Sequence, residues 1–316
     1  MRQRTLKNWS LGVAGALLLA ACQPIGILDN APPPQPGPEP EGPVVTEPSA
    51  ASKSLEAYYG RIQQNFLTRG LLRVDGGGPD TPITRRQLVE NFVRIALFEE
   101  FSSVGGRMVR SGKSTRLHRW AQPIRMQIVF GDSVPLAKRA RDRREIYAFA
   151  RRMTRLTGLP VTVGAPDPNF FVFIVNEDER QVLGPKLREI SPDVDSAAVD
   201  TVQDMRRSTL CLVFAVDGGE NGIYSRAAAV IRAEHPDLLR LSCIHEEIAQ
   251  GLGLPNDSPL ARPSVFNDDE EFGLLTTHDE YLLRMLYDPR MRPGMTEAEA
   301  RPIAEQIALE LLGAES

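Results

Sequence analysis

Apolar side chains recur along this chain at spacings that change several times, and each change marks an element. Leu55 to Leu72 and Thr84 to Phe101 carry them at three- and four-residue intervals, the stripe of an amphipathic helix, although the end of the second run also suits a strand. Ile124, Met126, Ile128 and Phe130 alternate with their neighbours, which predicts a half-buried strand. Phe170 to Val175 is apolar throughout at strand length, so it reads as a strand covered on both faces. Leu210 to Val216 and Ile223 to Arg232 flank Asp217-Gly218-Gly219-Glu220-Asn221-Gly222, whose glycines suit the positive φ of a turn, and together predict a β-hairpin. Lys138, Arg139, Arg141, Arg143, Arg144, Arg151, Arg152 and Arg155 share a helical stretch with Ile146, Tyr147, Phe149 and Ala150. Helices interleaved with three or four strands make the fold class α/β (α+β).

A further helix starts near Pro236, which suits a first turn, and meets stop signals at Gly251, Gly253 and Pro255. At about 100° per residue, Leu241, Ile244, Ile248 and Leu252 make one apolar stripe. His245 lies near that stripe, while Cys243, Glu246, Glu247 and Gln250 gather opposite it. A zinc helix of the His-Glu-x-x-His type aims two imidazoles, four residues apart, at one ion. Started at His245, that motif needs a second histidine where Ala249 stands, so His245 is expected to be a satisfied, partly buried side chain. Started one residue later, it puts Glu246 and Gln250 at the ligand positions and Glu247 at the general base.

Composition supplies the compartment. Arg2, Arg4 and Lys7 precede an apolar run from Leu11 to Ala21, the layout of a secretory signal, and shorter than the roughly 20 residues a membrane span needs. It ends in Leu19-Ala20-Ala21-Cys22, which resembles a bacterial lipobox; that implies a signal over residues 1–22 and an acylated Cys22 anchoring the chain to a membrane, facing the periplasm. Gln23 after the cysteine favours the outer membrane by the same resemblance. Residues 23–54 are rich in proline and glutamate and read as a disordered spacer, leaving residues 55–316 as a globular domain. With Cys22 acylated, Cys211 and Cys243 remain as an even pair in an oxidising compartment, so a disulfide between them is expected; two buried thiols, or a thiolate metal ligand at Cys243, are the alternatives. A net charge of −4 argues against nucleic acid as a partner. The arginine-rich helix reads as a solvated basic face, with an anionic lipid or polyanion surface as the alternative.

Glu246 to Asn256 resembles the metzincin pattern His-Glu-x-x-His-x-x-Gly-x-x-His/Asp, with Glu247 at the catalytic glutamate and Gly253 at the turn glycine. Ser264-Val265-Phe266-Asn267 is similar to a metzincin Met-turn with Phe266 in place of methionine, and Leu275, Thr276, Asp279, Leu283, Leu286 and Tyr287 to the closing helix. Cys243 to Glu247, Leu252 to Asp257, Ser264 to Asp268 and Leu282 to Arg290 also resemble a proteobacterial lipoprotein family of unknown function. The resemblance implies a zincin-like mixed sheet with a motif helix and C-terminal helices, and a degenerate zinc site. A carboxylate such as Glu246 is an acceptable zinc ligand, but the carboxamides of Gln250 and Asn256 are poor ones, leaving Asp257 or His278 as replacements. A hard cation on Glu246 and Asp257 is a further alternative. The implied protein is a cell-envelope lipoprotein without a cofactor that binds peptide, glycan or an envelope protein. The alternatives are a divergent zinc-dependent peptidase with Glu247 as base and a structural lipoprotein with no ligand cleft. Elsewhere, Asn267 to Glu271 reads as a solvated acidic loop, Thr277 with Glu280 and Thr296 with Glu299 as helix caps, and Gly76-Gly77-Gly78 as a connector.

Overall fold

The computed structural model describes residues 46–313, except 106, 220 and 268. The apolar run Leu11–Ala21, Cys22 and most of the proline-rich stretch lie outside the described residues.

The first helix, α1 (Ala50–Thr68), starts ahead of Leu55 because the Ser49 hydroxyl accepts the Ser52 N–H and so caps it. In α2 (Arg85–Ala96), Thr84 and Gln87 cap one another reciprocally. The apolar pattern then passes into β1 (Phe98–Val104), which pairs antiparallel with β2 (Arg107–Ser114) as a separate two-stranded sheet. β2 has no clean apolar alternation and is mostly exposed, so nothing in its own pattern announces it.

The main sheet is built from β3 (Ile124–Phe130), β4 (Val161–Val163), β5 (Phe170–Val175), β6 (Cys211–Asp217) and β7 (Tyr224–Arg232). Its order is β4-β3-β5-β7-β6; β6, at one edge, runs antiparallel and the other four are parallel. Helix α3 (Leu136–Thr157), with the arginine-rich run, joins β3 to β4, and the short helices α4 (Glu177–Gln181), α5 (Gly184–Ile190) and α6 (Ser196–Gln203) join β5 to β6. Helices α7 (Asp237–Gln250), α8 (Thr277–Leu286) and α9 (Glu297–Leu312) follow.

The unbroken apolar run of β5 is explained by two cores. Phe170, Val172 and Ile174 point into the larger one, with side chains from α2, α3, α7, α8 and α9, while Phe171, Phe173 and Val175 point into a smaller one with α5 and α6. Each fully buried side chain of this size contributes roughly 1.5–3 kcal/mol. In β6 the same alternation turns Cys211, Val213 and Ala215 toward α7, and Leu212 and Phe214 toward the smaller core.

Helix α7 is fixed beneath that sheet by a buried ion pair. Arg240 Nε donates to both oxygens of Asp142 on α3, at 3.0 and 2.8 Å, and Arg240 Nη1 donates to the His235 carbonyl at 2.6 Å. Pro236 precedes the first turn as the cap residue instead of occupying it. The cap of α8 differs from the Thr277–Glu280 reading: Thr276 accepts the Asp279 N–H, and the Asp279 carboxylate reaches back to the Thr276 N–H at 2.9 Å. Thr296 and Glu299 do cap α9.

Candidate functional site

The polar face of α7 opens into a cleft of about 600 Å³. It is lined by β6 from Cys211 to Ala215 and by the β1–β2 hairpin through Glu99, Glu100, Phe101, Met108 and Arg110. Glu246, Glu247 and Gln250 form the floor, with Pro255, Asp257 and Glu270 beyond the helix end. Cys211 Sγ and Cys243 Sγ are bonded at 2.00 Å, joining β6 to α7 at the start of the cleft.

Helical spacing alone brings Glu246, Glu247 and Gln250 onto one side of α7, and the loop after the helix returns Asp257 to them. Gln250 Nε2 donates to Asp257 Oδ1 at 3.0 Å, which ties the carboxamide at the second ligand position to that acid through its nitrogen. Glu247 is 4% exposed, and its Oε2 has no hydrogen-bond partner among the described residues. Burial first, then the Asp257, Glu247, Glu270 and Glu100 carboxylates, push the Glu246 carboxyl well above the usual range. Burial, Glu100 and Asp257 do the same to Glu247.

His118 and Asp217 close the far end. His118 Nδ1 donates to the Arg116 carbonyl at 2.7 Å, which turns Nε2 toward Asp217 Oδ2, 3.6 Å away, while the ring stacks on Tyr224. Burial works against the Asp217 carboxylate, but the backbone N–H groups of Gly219, Gly222 and Asn221 outweigh it and hold this acid below its ordinary value. Across the cleft, Arg110 lies 3.5 Å from Glu100.

Other residues singled out in the sequence take different places. His278 is fully buried away from the cleft, with Nε2 3.0 Å from Asn91 Nδ2 and Nδ1 3.4 Å from Asp279 Oδ1, so it does not replace a ligand. Asn256 Nδ2 donates to the Arg94 carbonyl at 2.8 Å and ties the loop to α2. His245 faces away from Glu246: it stacks on Phe149, accepts the Leu275 N–H at Nδ1, and burial lowers its pKa to about 3. Phe266 is fully buried, and Asp279 holds its turn by accepting from the Ser264 hydroxyl and the Val265 N–H. Gly253 adopts φ 120° against the His118 backbone. The acidic run is not simply solvated, since Glu271 pairs with Arg262 and Arg73 and Glu270 lines the cleft.

Among the described residues, one group of potential metal donors lies here: Cys211 Sγ and one oxygen each from Glu246 and Glu247, all within 4.8 Å of one another. The sulfur is spent in the disulfide and is no thiolate, and α7 sends no imidazole into the cleft, so this donor set matches tetrahedral zinc poorly. Glu100, Arg110, His118, Asp217 and Glu270 are the lining groups that reading the sequence missed. They come from five separate stretches, and only the folded chain brings them together.

A family model described as a protein of unknown function, DUF2927, matches residues 85–306. No curated protein matches the chain. No solved structure matches it either.

Proposed function

The chain belongs to the DUF2927 family of proteins of unknown function, and from that premise we propose that it is a cell-envelope lipoprotein whose metzincin-like domain binds an extended peptide segment of another envelope protein without cleaving it. One observation carries this reading: β6 is an edge strand, pairs along one side only within its sheet, and borders the cleft over the polar face of α7. An edge strand offers a row of outward N–H and C=O groups, and a peptide that adds as a further strand satisfies them. Alternate side chains of that peptide then face the cleft. The disulfide at Cys211 removes a thiolate that an ion would need, which supports binding over hydrolysis. A cleft of this size weighs against a structural protein with no ligand. The anchor at Cys22 is proposed from residues 1–22 alone; no helix among the described residues is long and apolar enough to cross a membrane.

Hydrogen exchange of the mature protein with a pool of end-capped random nonapeptides tests the binding reading. The β6 amides gain protection and the peptides are recovered at full length. Unchanged β6 exchange, or shortened peptides, would sink it.

A second reading has one observation in its favour, the unpartnered Oε2 of Glu247, which suits a general base beside a metal-bound water. It requires a stoichiometric divalent metal in protein purified without chelator, lost in Glu246→Ala. Metal-free protein removes it.

A further inference from the structure

The binding reading leaves the chemistry of the ligand open, and the charges around the cleft narrow it. Seven of the lining side chains are carboxylates, against one guanidinium and one imidazole. Those two groups stand beside Glu100 and Asp217, at 3.5 and 3.6 Å, and Asp257 accepts from Gln250. Glu247 is different: nine-tenths and more of it is buried, it lines the cleft, and Oε2 has no hydrogen-bond partner among the described residues. A buried acceptor left in that condition costs free energy that a donor on a ligand would recover.

We infer that the cleft selects a peptide bearing a lysine side chain, whose ammonium is received between the carboxylates of Glu246 and Glu247. This rests on the peptide-binding reading and adds the ligand's charge and the residues that read it. The geometry suits one nitrogen. Oxygens of the two carboxylates lie within 4.8 Å of each other, and a single ammonium about 2.8 Å from each spans up to about 5.6 Å, so both fall within its reach. Lysine carries three donors on a compact head, enough to engage both acids at once. A metal ion would want further donors, and the third atom of the group is the disulfide sulfur of Cys211. The lining also includes Val213 and Ala215 on β6 and Phe101 and Met108 on the hairpin, apolar surface that suits a four-carbon stem. Burial and neighbouring carboxylates already disfavour charge on both acids, so a cation arriving there meets partners that gain from it.

The test uses the mature full chain and two pools of fluorescent nonapeptides with acetylated and amidated ends, built from alanine, serine, threonine and valine around a central lysine or a central norleucine. Anisotropy titrations at low salt are expected to give about tenfold or more tighter binding of the lysine pool. Glu246→Gln and Glu247→Gln each lower that ratio, and the double variant brings it to about one, with circular dichroism checking that the fold persists. Equal affinity of the wild-type protein for both pools overturns the lysine inference and leaves the binding reading standing. A lysine preference that survives in the folded double variant also overturns it. Binding of neither pool overturns both.

Discussion

Cys211 on the edge strand β6 is bonded to Cys243 on α7, one helical turn ahead of Glu247. The strand edge and the acidic helix face are therefore joined covalently where the cleft begins, and they keep their separation when the chain breathes. The two residues are 32 apart in sequence, a loop whose closure in the unfolded chain is worth about 3–4 kcal/mol. A Cys211→Ala/Cys243→Ala variant is expected to lose about that much stability in urea. An unchanged midpoint, or separate tryptic peptides for the two cysteines without reductant, would show that the bond is not made.

The two acids on the cleft floor have a pH signature of their own. In the unfolded chain Glu246 and Glu247 titrate near 4.5, whereas in the folded protein burial and neighbouring carboxylates hold their protons to higher pH. Between those two values the folded state binds more protons than the unfolded one, so their contribution to stability falls as pH rises and then levels off. Glu246→Gln/Glu247→Gln, which keeps the shape and removes the charge, is thus expected to be more stable than the wild-type protein at about pH 8, with the difference shrinking toward about pH 4. Urea midpoints across that range measure it. A difference that grows on acidification would contradict the assignment.

His245 acts in the opposite sense. Its pKa is lowered to about 3 by burial and then by Arg152, so the folded protein keeps it neutral while the unfolded chain protonates it below 6.5. Stability contributed by the neutral ring is complete above 6.5 and is lost as pH falls toward 3. His245→Leu removes the acceptor for the Leu275 N–H and is expected to cost about 1–3 kcal/mol at neutral pH. The variant then loses less on acidification, so the two stability curves converge toward acid pH. Parallel curves would mean that burial does not lower the pKa of His245 in the folded protein.

What could be read from the sequence follows from how local each signal is. The β5 run, the alternation in β3 and the glycine turn between β6 and β7 are set by neighbours in sequence, and those elements lie where the patterns put them. The polar face of α7 follows from helical geometry in the same way. The short helices between β5 and β6 and the β1–β2 hairpin have no such periodicity, and the hairpin supplies Glu100 and Arg110 to the cleft. His118 had no local signal at all. Its ring is placed by the Arg116 carbonyl and by Tyr224, more than a hundred residues away in the chain. His278 misled for the converse reason: nearness in sequence to the motif suggested a ligand, but α8 turns it toward Asn91.

Gly253 links the end of α7 to that histidine. Its φ of 120° is open to glycine and costly for other residues, and a Cβ there would run into the His118 carbonyl oxygen and approach Leu286. Gly253→Ala must therefore strain its own backbone and displace the segment that carries His118, at an expected cost of about 2 kcal/mol or more. Because the His118 ring faces Asp217 at the end of the cleft, its imidazole proton resonances should shift in the same variant. Gly60, inside α1 with nothing within 4 Å of an added Cβ, provides the contrast. Gly60→Ala is expected to stabilise by about 0.5–1 kcal/mol, since the substitution only restricts the unfolded chain. Thermal unfolding of the two variants should move in opposite directions. Shifts of one sign would mean that the approach of Gly253 to His118 does not constrain the folded protein.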